Sequence, residues 1–227
     1  MATRTMFPQP TSVFICGTSR PLLNWVAYAL ATEADPQFVW TDVRLEGEVA
    51  APDDLLSRGL IPPDRLRLVS PPELKPDDAT ANVAVSAVIR DDDVPEEVQR
   101  AVEFLRLPTK TQELLADVKG RGSPPVVVLS NAHRLVAIYH DLAVVQPTVR
   151  AIVRSGVVLV MTFADAPPGG RLAFDVIVHV EGSDPTAWRL AKLRVEKGPP
   201  EGVLAAGTEV LLADIDPIAS VLRHEFP

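Results

Sequence analysis

Two short apolar runs constrain this chain more than anything else in it. Residues 125–129, Pro125-Val126-Val127-Val128-Leu129, and residues 157–162, Val157-Val158-Leu159-Val160-Met161-Thr162, are near-continuous rather than alternating. Each is of strand length. Such runs belong to strands covered on both faces, and those occur in parallel sheets flanked by helices. The expected class is therefore α/β, with a mostly parallel sheet at its centre.

The rest of the chain can be read around these two strands. Residues 12–16 form a β-branched and aromatic run, then comes Gly17-Thr18-Ser19-Arg20-Pro21, then residues 22–33 with helix-forming composition. This reads as strand, tight loop and helix, with Pro21 in the first turn, where a missing N–H is harmless. Residues 37–41 predict a second strand, residues 52–58 a short helix closed by Gly59, and residues 66–69 a third strand. Residues 70–93 have no assigned structure, and the alanine/valine run at 81–89 fits helix or strand. Residues 94–107 are apolar at helical spacing through Val98, Val102 and Leu105 and end at Pro108; residues 109–118, 132–140 and 148–154 also read as helices. Past Pro168 the pattern alternates, with Val176, Val178 and Val180 on one side and Asp175, His179 and Glu181 on the other. With residues 188–195 it predicts an antiparallel hairpin across Gly182-Ser183-Asp184-Pro185. A last strand at 208–212 and a helix at 217–224 complete the reading.

Composition narrows function by exclusion. The chain has 227 residues with 47% hydrophobic content, enough to bury one full core, so residues 11–227 are read as one domain behind a tail at 1–10. A formal net charge of -8 provides no extended basic surface for a nucleic-acid backbone. The single cysteine, Cys16, forbids an intramolecular disulfide, and no Cys/His spacing matches a structural zinc site. No run reaches membrane-spanning length, and residues 1–10 lack the apolar core of a secretory signal. The expectation is a cytoplasmic protein without membrane, nucleic-acid, metal or cofactor partners. Ten of the 22 prolines fall in five adjacent pairs that punctuate loops, and they form no repeat.

Four places in this order carry a resemblance. Gly17-Thr18-Ser19-Arg20-Pro21-Leu22-Leu23-Asn24 has the length and first glycine of the phosphate loop GxxxxGK[ST], with Leu22, Leu23 and Asn24 at the other three defined positions. Val126-Val127-Val128-Leu129-Ser130 resembles a Walker B strand with Leu129 in place of the aspartate. Residues 157–162 resemble the family's next strand, with Thr162 as its terminal polar residue. Residues 174–181 and 189–198 resemble a terminal hairpin with Lys192-x-Arg194 as a K-x-R element, a register with Lys197 being the alternative. Together these are similar to the RecA/KaiC family of P-loop ATPases. The resemblance implies a RecA-like three-layer sandwich with a C-terminal antiparallel extension, and subunit contacts through the hairpin carrying Lys192 and Arg194.

Each residue of the pattern also has a plainer reading. Arg20 can bind phosphate bidentately in place of the missing lysine, but a solvated arginine is the commoner case. Asn24 fits an early helix position better than a magnesium-bound water. Asp42 and Glu46 stand where the family places its catalytic glutamate, and Asp42, Ser130 and Thr162 mark a candidate ligand cleft. Without a lysine or metal ligands a lone base has little to activate. Ser130 or Asn131 reads as a helix N-cap with His133 in the first turn. Cys16 reads as a buried, inert thiol, and His179 and Lys192 as strand-face residues. Asp91-Asp92-Asp93 with Glu96 and Glu97 suits a helix entrance. No catalytic residue is assigned. No G-x-S-x-G elbow or dinucleotide fingerprint is present. The leading expectation is a non-hydrolysing, pseudo-ATPase module that binds protein partners in signalling or regulation and self-associates. The alternatives are an ATPase using Arg20 or a neighbouring subunit's lysine, and a small-ligand domain in the vacated cleft.

Overall fold

A computed structural model describes residues 7, 9–34, 38–45, 49–59, 67–69, 83–89, 124, 126–133, 149–150, 153–154, 156–164, 174–182, 187, 190–202 and 204–215. These build an α/β fold around a nine-stranded sheet. In chain order the elements are β1 (Ser12–Gly17), α1 (Arg20–Ala34), β2 (Val39–Leu45), α2 (Ala51–Ser57), β3 (Arg67–Val69) and β4 (Val83–Ile89). They continue with β5 (Val126–Ser130), β6 (Val158–Ala164), β7 (Val176–Glu181), β8 (Lys192–Lys197), β9 (Glu209–Leu211) and α3 (Leu212–Ile215).

Across the sheet the order is β3-β4-β2-β5-β6-β1-β7-β8-β9. Every pair from β3 to β7 is parallel, and β7-β8 and β8-β9 are antiparallel. The two apolar runs lie side by side as β5 and β6, and all five residues of β5 are buried. Chemistry and position agree, because these strands are buried on both faces and have no polar face to show to water.

On one face, Val13, Ile15, Val126, Val128, Val158, Val160 and Val178 join the core beneath α1. On the other, Phe14 stacks on Phe163 at 4.4 Å and meets Phe174 at 5.0 Å. Helix α1 packs on β5, β6 and β1 and also meets α2 and α3. Residues 22–31 are accordingly all buried, which explains why the helix is apolar around its circumference rather than along one stripe. Helix α2 closes as its sequence predicts: Gly59, with φ +69°, turns the chain out of the helix and donates its N–H to the Leu56 carbonyl at 3.0 Å.

Several boundaries differ from the sequence reading. Helix α1 begins at Arg20, two residues earlier than predicted, which absorbs part of the expected loop. Strand β2 runs to Leu45, so Asp42 lies inside it rather than after it. The undecided run at 81–89 is strand β4, paired parallel to β2 and β3, where β-branched valines fit a pleated surface. Strand β8 begins at Lys192, four residues later than predicted; Ala187 and Leu190 take 3₁₀ geometry instead. The last strand ends at Leu211, because Leu212 already opens α3 and its N–H bonds back to the Ala191 carbonyl at 2.9 Å. Of the helix expected at 148–154, Val149, Arg150, Val153 and Arg154 are helical. The helices expected at 94–107, 109–118 and 217–224, most of that at 132–140, and the acidic positions 91–93, 96 and 97 lie outside the described residues.

Candidate functional site

In open α/β sheets the chemistry-bearing crevice lies beyond the carboxyl ends of the strands, near the point where the chain's direction across the sheet reverses. Here that point is β1: the chain leaves it for β2 on one side, and later elements extend the sheet from β7 on the other. The residues to inspect are therefore those at the ends of β1, β2, β5 and β6.

At the end of β1 the turn is very short. Thr18 and Ser19 alone separate β1 from α1, and the Leu23 N–H already bonds the Ser19 carbonyl at 2.9 Å. Arg20 is exposed in the first turn. Leu22 and Leu23 are 0% and 1% exposed and belong to the core. A Cβ built on Gly17 would stand 2.7 Å from the Val180 carbonyl oxygen and 3.2 Å from Leu23 Cδ2. Gly17 thus serves close packing of β1 against β7 and α1, and a leucine methyl lies over it. Pro21 further removes one of the orphan N–H groups a helix start would otherwise present.

Beyond β2, β5 and β6 lies a buried polar cluster. Asp42 Oδ1 accepts hydrogen bonds from the Ser130 hydroxyl at 2.6 Å and from Asn131 Nδ2 at 2.9 Å, while Oδ2 accepts the Ala51 N–H at 2.9 Å. Ala50, the N-cap of α2, supplies no side-chain bond, so Asp42 satisfies that helix start from the neighbouring strand. Ser130 in turn accepts Trp40 Nε1–H at 2.8 Å. Thr162 Oγ1 accepts the Asn131 N–H at 2.9 Å and donates to Asn24 Oδ1 at 3.2 Å, and the Thr162 carbonyl accepts the Ala132 N–H at 2.8 Å. Asn131 makes this possible by adopting φ 56°, a left-handed conformation that asparagine tolerates.

The structure thus brings Asn24, Asp42, Ser130 and Thr162 together at one end of the sheet, as members of a buried hydrogen-bond network. Side chains alternate along β5. Val126 and Val128 face α1, so Ser130 faces it too, and Leu129 points to the opposite side. The Ser130 hydroxyl donates to Asp42 and accepts from Trp40 Nε1–H, and most of the helix it is expected to cap lies outside the described residues. Ala164 N–H donates to His133 Nδ1 at 3.4 Å. Glu46 and Arg134 lie outside the described residues. Lys192 and Arg194 are exposed on β8, where Arg194 Nε pairs with Glu181 Oε1 at 3.2 Å; both groups are about half exposed, which limits such a pair to about 0–1 kcal/mol.

One constellation was missed by reading the sequence. Cys16 Sγ lies 3.2 Å from His179 Nδ1, and His179 Nε2 lies 2.6 Å from Glu196 Oε2. Cys16 is buried, as expected, but it is hydrogen-bonded rather than simply packed. The signal available was the matched alternation in residues 12–16 and 176–181, yet it becomes legible only once β1 and β7 are known to be neighbours. Among the described residues no group of three or more His, Cys, Asp or Glu side chains is arranged to hold a metal ion, and no helix is long and apolar enough to cross a membrane.

No protein-family model matches the chain, and no curated protein matches it. Solved structures do. One, from Pyrococcus horikoshii OT3 and described as a structural study of Project ID PH0250, is similar with a TM-score of 0.53 at 11% identity, over 91% of this chain and 95% of that one. At this identity the likeness concerns the fold. Matches extend to 240 solved chains, and an architecture so widely shared does not select a function by itself.

Proposed function

We propose that this protein is a non-hydrolysing RecA/KaiC-like module that acts by binding protein partners. The observation that carries the reading is the β1–α1 turn. A phosphate loop works by wrapping backbone N–H groups around the anion and aiming a lysine at it. Here the helix starts at the fourth position of the eight-residue element, and Leu23, at the lysine position, is buried over Gly17. The family resemblance is supported by the placement of β1 between β6 and β7, with the antiparallel hairpin beyond it.

The other polar candidates also favour a structural role. Asp42, Ser130 and Thr162 bond to groups of the chain itself, and a carboxylate accepting from a hydroxyl, an amide side chain and a backbone N–H is held rather than poised. Exposed Leu190 and Leu211, 74% and 39% accessible before β8 and at the end of β9, favour a contact surface on the hairpin side. Phosphate release from purified protein with magnesium and ATP tests the reading, together with thermal shift in ATP, ADP or GTP. No release above background and no nucleotide-dependent rise in Tm are expected. A rise following RT ln(1 + [L]/Kd), or turnover abolished by Arg20→Ala, would overturn it.

A further inference from the structure

The Cys16–His179–Glu196 chain lies on the sheet face opposite α1, away from the cluster around Asp42. Strands β1 and β7 are parallel and place Cys16 directly beside His179. Strand β8 pairs Arg194 with His179, and the register shifts just before this pair, between Ile177, paired with Lys197, and Val178, paired with Val195. Glu196 is the extra residue of this β-bulge, and bulges re-aim side chains in this way. The bulge turns the Glu196 carboxylate onto the imidazole. Exposure rises along the chain: Cys16 is 1% exposed, and the side chains of His179 and Glu196 are 15% and 37% exposed.

The hydrogen bonds assign the tautomer. A carboxylate 2.6 Å from Nε2 accepts a proton from it, so Nδ1 of the neutral ring carries the lone pair. That lone pair faces the thiol at 3.2 Å, closer than the alternative acceptor, the Val178 carbonyl at 3.7 Å. Nucleophile, base and orienting carboxylate are therefore in sequence, the arrangement that activates a cysteine. A single imidazole bridges the two ends, so the groups form a line rather than converging on a point.

We propose that Cys16, His179 and Glu196 form an oxidisable thiol site that takes small hydroperoxides. The Cys16 proton passes to His179 Nδ1 as Sγ attacks one peroxide oxygen. The S–O bond forms and the O–O bond breaks. The departing oxygen takes the proton from His179 and leaves as water or an alcohol. Sulfur loses two electrons, the peroxide gains them, and Cys16 becomes a sulfenic acid. Glu196 is a positioning residue: it holds the ring in the productive tautomer and stabilises the imidazolium while the proton is on it. Burial of the thiol restricts the oxidant to a small one. The chain has one cysteine, so no intramolecular disulfide can follow, and an external thiol must restore the reduced form.

The test uses the full reduced chain and hydrogen peroxide, quenched with catalase at intervals. The remaining thiol is then labelled with iodoacetamide under denaturing conditions and read by intact mass. Wild type is expected to gain one oxygen atom and to lose its thiol at least about a hundredfold faster than His179→Gln, the low end of a general-base contribution. Glu196→Gln should be slowed with an unchanged melting temperature, and Glu196→Asp should retain part of the rate. A bulky aromatic disulfide should leave the native thiol intact. Equal rates in wild type and Glu196→Gln, wild-type loss no faster than that of free glutathione, or rapid reaction with the bulky disulfide would each overturn the proposal. If His179→Gln does not fold, the Glu196 variants and the glutathione comparison decide.

Discussion

A methyl group at Gly17 would sit 2.7 Å from the Val180 carbonyl oxygen, a distance the backbone of β7 cannot yield without moving the sheet. Gly17→Ala is therefore expected to lower stability by about 1–3 kcal/mol, read as a lower urea midpoint at constant slope. Leu23 makes the complementary point. Restoring the family's lysine with Leu23→Lys would place an ammonium group in the core beneath α1, where a buried charge without a partner is strongly unfavourable. The expected outcome is a protein that unfolds at markedly lower denaturant, by at least the roughly 2–5 kcal/mol of a Leu→Ala truncation, and still releases no phosphate. A folded Leu23→Lys variant with ATPase activity would contradict both the packing and the function proposed.

The hydrogen-bond cluster belongs to the scale of elements, because it ties β2 to α2 and β5 and, through Asn131 and Thr162, β6 to α1. Asp42→Ala removes the acceptor of three donors, and unsatisfied buried donors cost about 1–3 kcal/mol each, so a loss of about 3 kcal/mol or more is expected. Thr162→Val should cost about 1 kcal/mol. A double-mutant cycle between Asp42 and Thr162 should show coupling rather than additivity, since Asn131 bonds to both. Additive values in chemical denaturation would show two independent contacts. This cluster also marks how far sequence could reach. Asp42, Ser130, Asn24 and Thr162 were individually visible as polar residues at strand or helix ends. Their mutual bonding was not, because it depends on β2 and β5 being neighbours although they are 88 positions apart at Asp42 and Ser130. Local chemistry found α1, β5 and β6, where composition and burial coincide. It misplaced the start of β8, because Ala187 and Leu190, on either side of the predicted start, take 3₁₀ geometry.

For the whole molecule, the nine-strand order predicts a gradient of protection. Backbone amides of β1, β5 and β6, flanked on both sides, should exchange most slowly, and those of β9, at a sheet edge, most rapidly; uniform exchange across the sheet would contradict the order. The exposed Leu190 and Leu211 predict concentration-dependent association: light scattering should give a mass above the 24.6 kDa of one chain at high micromolar concentration, reduced by Leu190→Asp. A monomer throughout would remove self-association from the proposed function. The place of β1 has a further consequence, for the birth of the molecule on the ribosome. Ser12 bonds to Asp175, 163 positions later, so β1 is made long before it can find its neighbours. At 5–20 residues per second, synthesis leaves that apolar segment and the helix after it waiting for roughly 8 to 30 seconds. During that interval the buried surface of α1 is open to holdase chaperones, and nascent chains stalled before β6 should be captured by them while full-length chains are not.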